Sequence, residues 1–189
     1  MKVHILLLGA ALALASAATA QTVVTRGVGL SHDCFIFAKL GKDPRAGVET
    51  CNLAIIQEAL NTKDRAATYD NRGILLDMMG RTDPAAEDFN RAIALDPTLG
   101  DPYVNLGSML IKKRQYAESL EKINKGLDLG VSFPHIGYYD RAVAEEMMGR
   151  YKEAYFDYKK VLEIEPDYTE ATERLKDFTV VRTPAKSPS

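Results

Sequence analysis

One block recurs along this chain, and that recurrence limits the folds open to it more than any other feature. Residues 66–99, 100–133 and 135–168 align with one another. Tyr69, Tyr103 and Tyr138 fall in register, as do Gly73, Gly107 and Ala142, and again Ala85, Ser119 and Ala154. Ala92 and Gly126 share a later small position, where the third copy carries Val161, and Asp96-Pro97 and Glu165-Pro166 close the first and third copies. A period in the thirties is the mark of a stacked repeat. Each unit is too small to bury its apolar face alone, so neighbours must cover one another.

Each block reads as two amphipathic helices. In the first copy Leu75, Leu76 and Met79 extend one helix to a break at Gly80-Arg81. Asp83-Pro84 starts the next, with Asp expected as N-cap and Pro in the first helical position. Phe89, Ala92, Ile93 and Leu95 form its apolar face. The second copy repeats this with Asp101-Pro102 at its start and Leu120, Ile123 and Leu127 on its second helix. The third enters through Ser132-Phe133-Pro134 and breaks at Gly149-Arg150. The small residues in register let two helices of one hairpin approach closely.

This pattern resembles the tetratricopeptide repeat (TPR) family over residues 66–168. The resemblance implies an all-α fold, an alpha-alpha superhelix (a right-handed TPR solenoid). Three clear hairpins, 66–99, 100–133 and 135–168, would be joined by one degenerate hairpin and a C-terminal capping helix. The degenerate copy is 28–61, laid on the same register with four extra residues after it, so that Cys34 falls on its first helix and Cys51 on its second, where the next copy has Phe89. Ala171, Leu175 and Phe178 mark 169–178 as the capping helix. There are departures from the family pattern. Tyr stands for the usual Trp near each start, Val131 replaces the closing Pro of the second copy, and Glu145 stands where Leu76 and Leu110 stand. Glu145 therefore implies a wetter or differently paired site. The chain as a whole is similar to small exported bacterial TPR proteins with a cysteine-bearing first hairpin.

The ends read differently. Residues 1–20 have the form of a secretory signal peptide: Lys2, an apolar run from Ile5 to Leu14, and the small-x-small site Ala18-Thr19-Ala20 before Gln21. A transmembrane anchor is the competing reading, but the segment is short for one. Residues 21–27 and 179–189 lack periodicity and are expected to be flexible. The chain is thus expected to be exported, to the periplasm or the medium. Two cysteines in an oxidising compartment are most simply one disulfide, Cys34–Cys51. A metal site using His32 lacks a clear fourth ligand, and a redox-active pair lacks the Cys-x-x-Cys motif.

At 46% apolar residues the chain is neither collagen-like nor wholly disordered, and a net charge of -2 argues against a nucleic-acid partner. Beyond Gln21 the histidines are His32 and His135, and no nucleophile elbow, phosphate loop or metal-binding helix motif is present. No enzyme activity, cofactor or metal is expected, and no membrane span in the mature chain.

The place for function is the concave face, which the first helices of TPR hairpins line. The expected peptide-binding residues are Asp33, Asp70, Asn71, Ile74, Asp77, Asn105, Ser108, Lys112, Tyr139, Asp140 and Glu146. Asp33, Asn71, Asn105 and Asp140 form one column that could hydrogen-bond the backbone of an extended peptide, or else neighbouring repeats and water. Carboxylate capture, known in one TPR subset, is disfavoured because Asp70 and Asp140 stand where bases are needed. An extended protein segment with apolar and basic residues complements these acids better. The leading expectation is an exported, non-catalytic adaptor. The alternative is a structural or homo-oligomerisation module whose groove is filled by its own tail or by another copy.

Overall fold

A computed structural model describes residues 29–179. The expected signal peptide, the 21–27 segment and all but the first residue of the 179–189 tail lie outside the described residues. Within them, nine helices and no strands are present. They pair as α1 (Leu30–Leu40) with α2 (Pro44–Gln57), α3 (Thr62–Met78) with α4 (Thr82–Leu95), α5 (Asp101–Lys112) with α6 (Tyr116–Leu129), and α7 (Pro134–Met147) with α8 (Tyr151–Ile164). α9 (Thr169–Leu175) closes the stack against α8. The first helices α1, α3, α5 and α7 also touch one another in succession, so they form a continuous inner layer.

The turn within each hairpin contains a residue of positive φ, Gly41, Gly80, Arg114 and Gly149, and the first turn has a second in Asp43. A left-handed residue just past a helix satisfies its last carbonyls, and glycine adopts it without a Cβ penalty. Arg114 pays that penalty at φ 61°. The helix starts differ from the expectation. The N-cap of α4 is Arg81, and Asp83 lies inside the first turn. Gly100 caps α5, while Asp101 accepts hydrogen bonds from the backbone N–H (2.8 Å) and hydroxyl (3.0 Å) of Ser132. Both aspartates still sit where a helix N-terminus favours negative charge. α3 begins before the repeat itself, at a cap formed by Asn61, whose side chain accepts from Asp64 N–H at 2.9 Å.

At the centre of each hairpin a small residue faces a large one. A Cβ on Gly73 would lie 2.5 Å from Phe89 Cε1, and one on Gly107 would collide with Ile123. Ala142 and Tyr158 share one core cluster with Ala154, Val161 and Ala171. The first hairpin carries the disulfide Cys34–Cys51 in the corresponding place, with both cysteines fully buried. Counted from the left-handed residue to the next helix, the α1–α2 turn is one residue longer than the others, running Gly41-Lys42-Asp43 where the next has Gly80-Arg81. The first helix is therefore shifted by one against the sequence register, and Cys34 matches Gly73. The capping helix is shorter than 169–178. Phe178 lies beyond its end but packs edge-on against Tyr158 at 5.9 Å.

Two stability outcomes follow from this packing. Gly107→Ala should cost about 1–3 kcal/mol, because the backbone of α5 and the side chain of Ile123 must separate. Urea unfolding measures this. Reducing Cys34–Cys51 should cost about 3 kcal/mol by the loop-closure estimate. The loss should fall on the first hairpin, because repeat stability is a sum of local and neighbour terms. Hydrogen exchange should then show α1 and α2 opening while α5 to α8 stay protected.

Candidate functional site

The inner layer encloses a groove of about 570 Å³. Its walls come from every first helix: Phe35 and Ala38 of α1, Ile74 and Met78 of α3, Val104 of α5, and Ile136 of α7. Leu99, Val131 and Phe133 close it from the loops between hairpins. Polar groups reach it at Lys39, Asp70, Asn71, Asp101, Asn105, Ser132 and His135. The arrangement follows from the hairpin geometry. The small residues turn one side of each first helix toward its partner, leaving the opposite side to face the concavity.

Of the expected site residues, Asp70, Asn71, Ile74 and Asn105 line this groove. Asp33 does not. It is exposed, and the longer first turn puts His32, rather than Asp33, in the column with Asn71, Asn105 and Asp140. The remaining residues tie successive repeats together. Asn105 Nδ2 donates to Asp70 Oδ1 at 2.9 Å, across α3 and α5. Lys112 Nζ pairs with Asp77 at 2.6 Å across the same two helices. The Ser108 hydroxyl donates to Asp140, joining α5 to α7. Glu146 accepts from the Tyr158 hydroxyl at 2.7 Å and pairs with Arg174 of α9 at 3.3 Å. Tyr139 is stacked between Tyr158 and Tyr168, at 5.6 and 5.3 Å between ring centres. Asn71 is different. It is half-buried in the groove and makes no side-chain hydrogen bond among the described residues.

These pairings change the electrostatics expected of the groove. Asp77 and Glu146 are already neutralised by cations of the chain. Asp70 is buried, and burial pushes its carboxyl up to about 7 despite the bond from Asn105. Burial likewise raises Asp140 to about 6, against the bond from Ser108. The concave face is thus largely apolar and close to neutral, not an acidic strip.

A second polar device escaped the sequence reading. The Arg72 guanidinium grips Asp88 of α4 through Nε (2.6 Å) and Nη2 (2.8 Å), and Nη1 donates to Asn52 of the preceding hairpin at 2.6 Å. Arg141, Asp157 and Asn124 repeat this with 2.6, 2.8 and 2.9 Å. Tyr69 and Tyr138, two of the register tyrosines, lie under these guanidinium groups at 5.2 and 5.1 Å. The signal was present as an Arg three residues after Tyr and an Asp in the following helix. The middle hairpin has Leu106 and Lys122 there. Glu145 lies beside the third-hairpin pair. Burial first, then the Asp157 charge, raises it to about 7, and its Oε2 is buried with no hydrogen-bond partner among the described residues. The side chain as a whole is half-buried beside Arg141. Among the described residues no group of three or more His, Cys, Asp or Glu could hold a metal ion, and no helix is long and apolar enough to cross a membrane.

Comparison with known proteins places this architecture. Tetratricopeptide repeat family models match residues 66–99 and 135–168. The chain is 30% identical over 101 residues to the lipoprotein NlpI homolog of Haemophilus influenzae, covering 52% of this chain and 31% of that protein. It is also 30% identical over 95 residues to the small glutamine-rich tetratricopeptide repeat-containing protein 2 of Mycosarcoma maydis, with 50% and 26% covered. The chain therefore spans about a third or less of the curated relatives it matches. Among solved structures, PilW, a type IV pilus biogenesis factor, superposes with a TM-score of 0.64 at 21% identity, over 79% of this chain and 68% of that one.

The buried carboxylate of Asp70 carries a pH prediction. With a folded pKa near 7 and an unfolded value near 4, the native state holds the proton that the unfolded state releases. Its contribution to stability is therefore present below pH 4 and lost as pH rises through 7. Asp70→Asn keeps an acceptor for Asn105 and removes the titration. Relative to the parent, this variant should gain stability between pH 5 and pH 8, measured by urea unfolding at both. An equal difference at the two pH values would contradict the assignment.

Proposed function

Because the chain is a tetratricopeptide repeat protein, we infer that its concave groove receives an extended segment of another protein. On this reading the chain is a non-catalytic adaptor, exported to the periplasm or the medium. The observation that carries the reading is the groove itself: about 570 Å³, walled by apolar side chains of all four first helices, and lined by Asn71, which makes no side-chain hydrogen bond among the described residues. An amide with one acceptor and two donors can hold a peptide unit of any sequence. The 1–20 segment supports export, as does similarity to a protein described as a lipoprotein. A solved relative at 24% identity and TM-score 0.56, the first TPR of Spaghetti (RPAP3), is bound to the HSP90 peptide SRMEEVD. It supports peptide binding by this fold, while the sequence bound here is a separate matter of groove chemistry.

That chemistry favours an apolar segment. The basic character expected from the sequence loses most of its basis, since Asp77 pairs with Lys112, Glu146 with Arg174, and burial raises the Asp70 carboxyl to about 7. Shape and apolar burial then set the preference, with Lys39 and Asp101 at the margins.

The test is a photo-crosslinking amino acid placed at Ile74 in the groove and, as control, at exposed Asn90 on α4. Adducts with a second protein are expected from position 74 and not from 90. For the partner so identified, Asn71→Ala should weaken binding about tenfold, from up to two hydrogen bonds of 0.5–1.5 kcal/mol each. Thermal stability should be unchanged. Asn105→Ala should instead lower stability, because it leaves buried Asp70 without its donor. Adducts with a second copy alone would favour the self-filled groove, and equal adducts from both positions would move the site off the concave face.

A further inference from the structure

The short turns inside the four hairpins gather on one edge of the stack. A Cβ on Gly41 would lie 3.5 Å from the Met78 methyl, and the Lys112–Asp77 pair joins the end of α5 to the end of α3. This edge is basic. Lys42, Lys113, Arg114, Arg150 and Lys152 are all exposed on it. Its acids, Asp43, Asp83, Glu118 and Glu153, sit at the caps or first turns of the second helices, where the helix dipole favours them. The edge is also apolar. Leu40, Met78, Met147 and Tyr151 are 57%, 50%, 47% and 62% exposed. The opposite edge, where successive hairpins join, carries exposed Asp128, Glu163, Glu165 and Asp167, with Lys63 and Lys160 among them, the latter paired with Glu163 at 2.9 Å. A net charge of -2 thus conceals a separation of charge along the helices.

We propose that the basic, methionine-bearing turn edge docks the chain on the surface of an anionic phospholipid bilayer. Cations and exposed flexible apolar side chains alternate along this edge, and a bilayer with anionic headgroups satisfies both at once. The headgroups attract Lys and Arg, and the layer beneath takes Leu, Met and Tyr. A soluble polyanion would leave the apolar groups in water. The acidic edge of a second copy would neutralise the charge, but such a contact is head-to-tail and builds an open chain of subunits. The acidic edge does not oppose docking. A fourteen-residue helix such as α4 or α6 separates the two edges by about 21 Å, more than twice the screening length of about 8 Å at physiological salt. Apart from Met78, which also lines the groove, the residues of this surface lie outside it, so the inference stands apart from peptide binding.

The test is co-sedimentation of the chain from Gln21 onward, which contains every described helix. The probes are vesicles of phosphatidylcholine alone and of phosphatidylcholine with phosphatidylglycerol. Binding to the anionic vesicles is expected, weakening with salt, with little on the neutral ones. The triple variant Lys42→Glu, Lys113→Glu, Lys152→Glu should bind roughly a hundredfold more weakly, from about fivefold per cation. Leu40→Ser with Met147→Ser should also weaken binding, while Glu163→Gln with Glu165→Gln should leave it unchanged. Circular dichroism checks that each variant is helical, and the milder pair Lys113→Gln, Lys152→Gln serves if the triple reversal does not fold. The proposal is overturned by absent binding, by equal binding to neutral vesicles, or by full binding of the charge variants. It is also overturned by self-assembly in light scattering that either edge's variants abolish, which would assign the edge to a second copy.

Discussion

A small residue against a large one at the middle of each hairpin is the contact on which the other features depend. Gly73 under Phe89 and Gly107 under Ile123 bring two helices closer than side chains on both would allow. That approach fixes which side of each first helix is buried against its partner and which side is left for the concave layer. In the first hairpin the same place holds Cys34 and Cys51. Among the described residues the first hairpin has a neighbouring repeat on one side only, and a repeat so placed lacks half of the interface energy that an internal repeat receives. A covalent bond in place of the small-to-large contact keeps the pair together where packing alone is weakest.

Polar side chains then govern how one hairpin sits on the next. The Tyr–Arg–Asp–Asn joints at Arg72 and Arg141 bind the two helices of a hairpin and reach back to the preceding one. A nearly buried aspartate is tolerable there because a bidentate guanidinium satisfies it. The middle hairpin has Leu106 in place of that arginine, and its junction with the one before relies on Asp70–Asn105 and Asp77–Lys112 on the concave side. The first junction is thus fastened through Arg72, the second on the concave side, and the third on both, through Arg141–Asn124 and Ser108–Asp140. Asn71, in the same column as Asn105 and Asp140, takes no part in any of these contacts.

The sequence carried the repeat, the hairpins and the core pairs because those follow from periodicity within one copy. It did not carry the register of the first hairpin. One added residue between Gly41 and Asp43 shifts α1 against α2, and only the pairing of Cys34 with Cys51 at the small-to-large position reveals it. Nor did it carry the state of the groove acids. Asp70, Asp77 and Asp140 look like free charges along the chain, but their partners lie in the adjacent hairpin, 32 to 35 residues away. The helix caps were misplaced by a residue or two for a local reason. Asp-Pro suits either the cap or the first turn, and the turn residues preceding it decide which.

The internal pairing of the groove acids has a consequence for how the molecule's surfaces divide their work. Charges on the concave face are matched by neighbouring repeats or have their ionisation opposed by burial, so that face carries less free charge than its acids suggest. The exposed charge lies at the two edges, with cations in excess at the hairpin turns and acids in excess at the junctions. Long-range attraction acts through exposed charge and is screened by salt, whereas burial in a concave groove acts at contact and is not. The edges can therefore orient the molecule before contact, and the groove can discriminate after it. Because Lys39 and Met78 line the groove where it opens toward the basic edge, the two surfaces meet. A segment seated in the groove would leave it beside whatever the edge rests on.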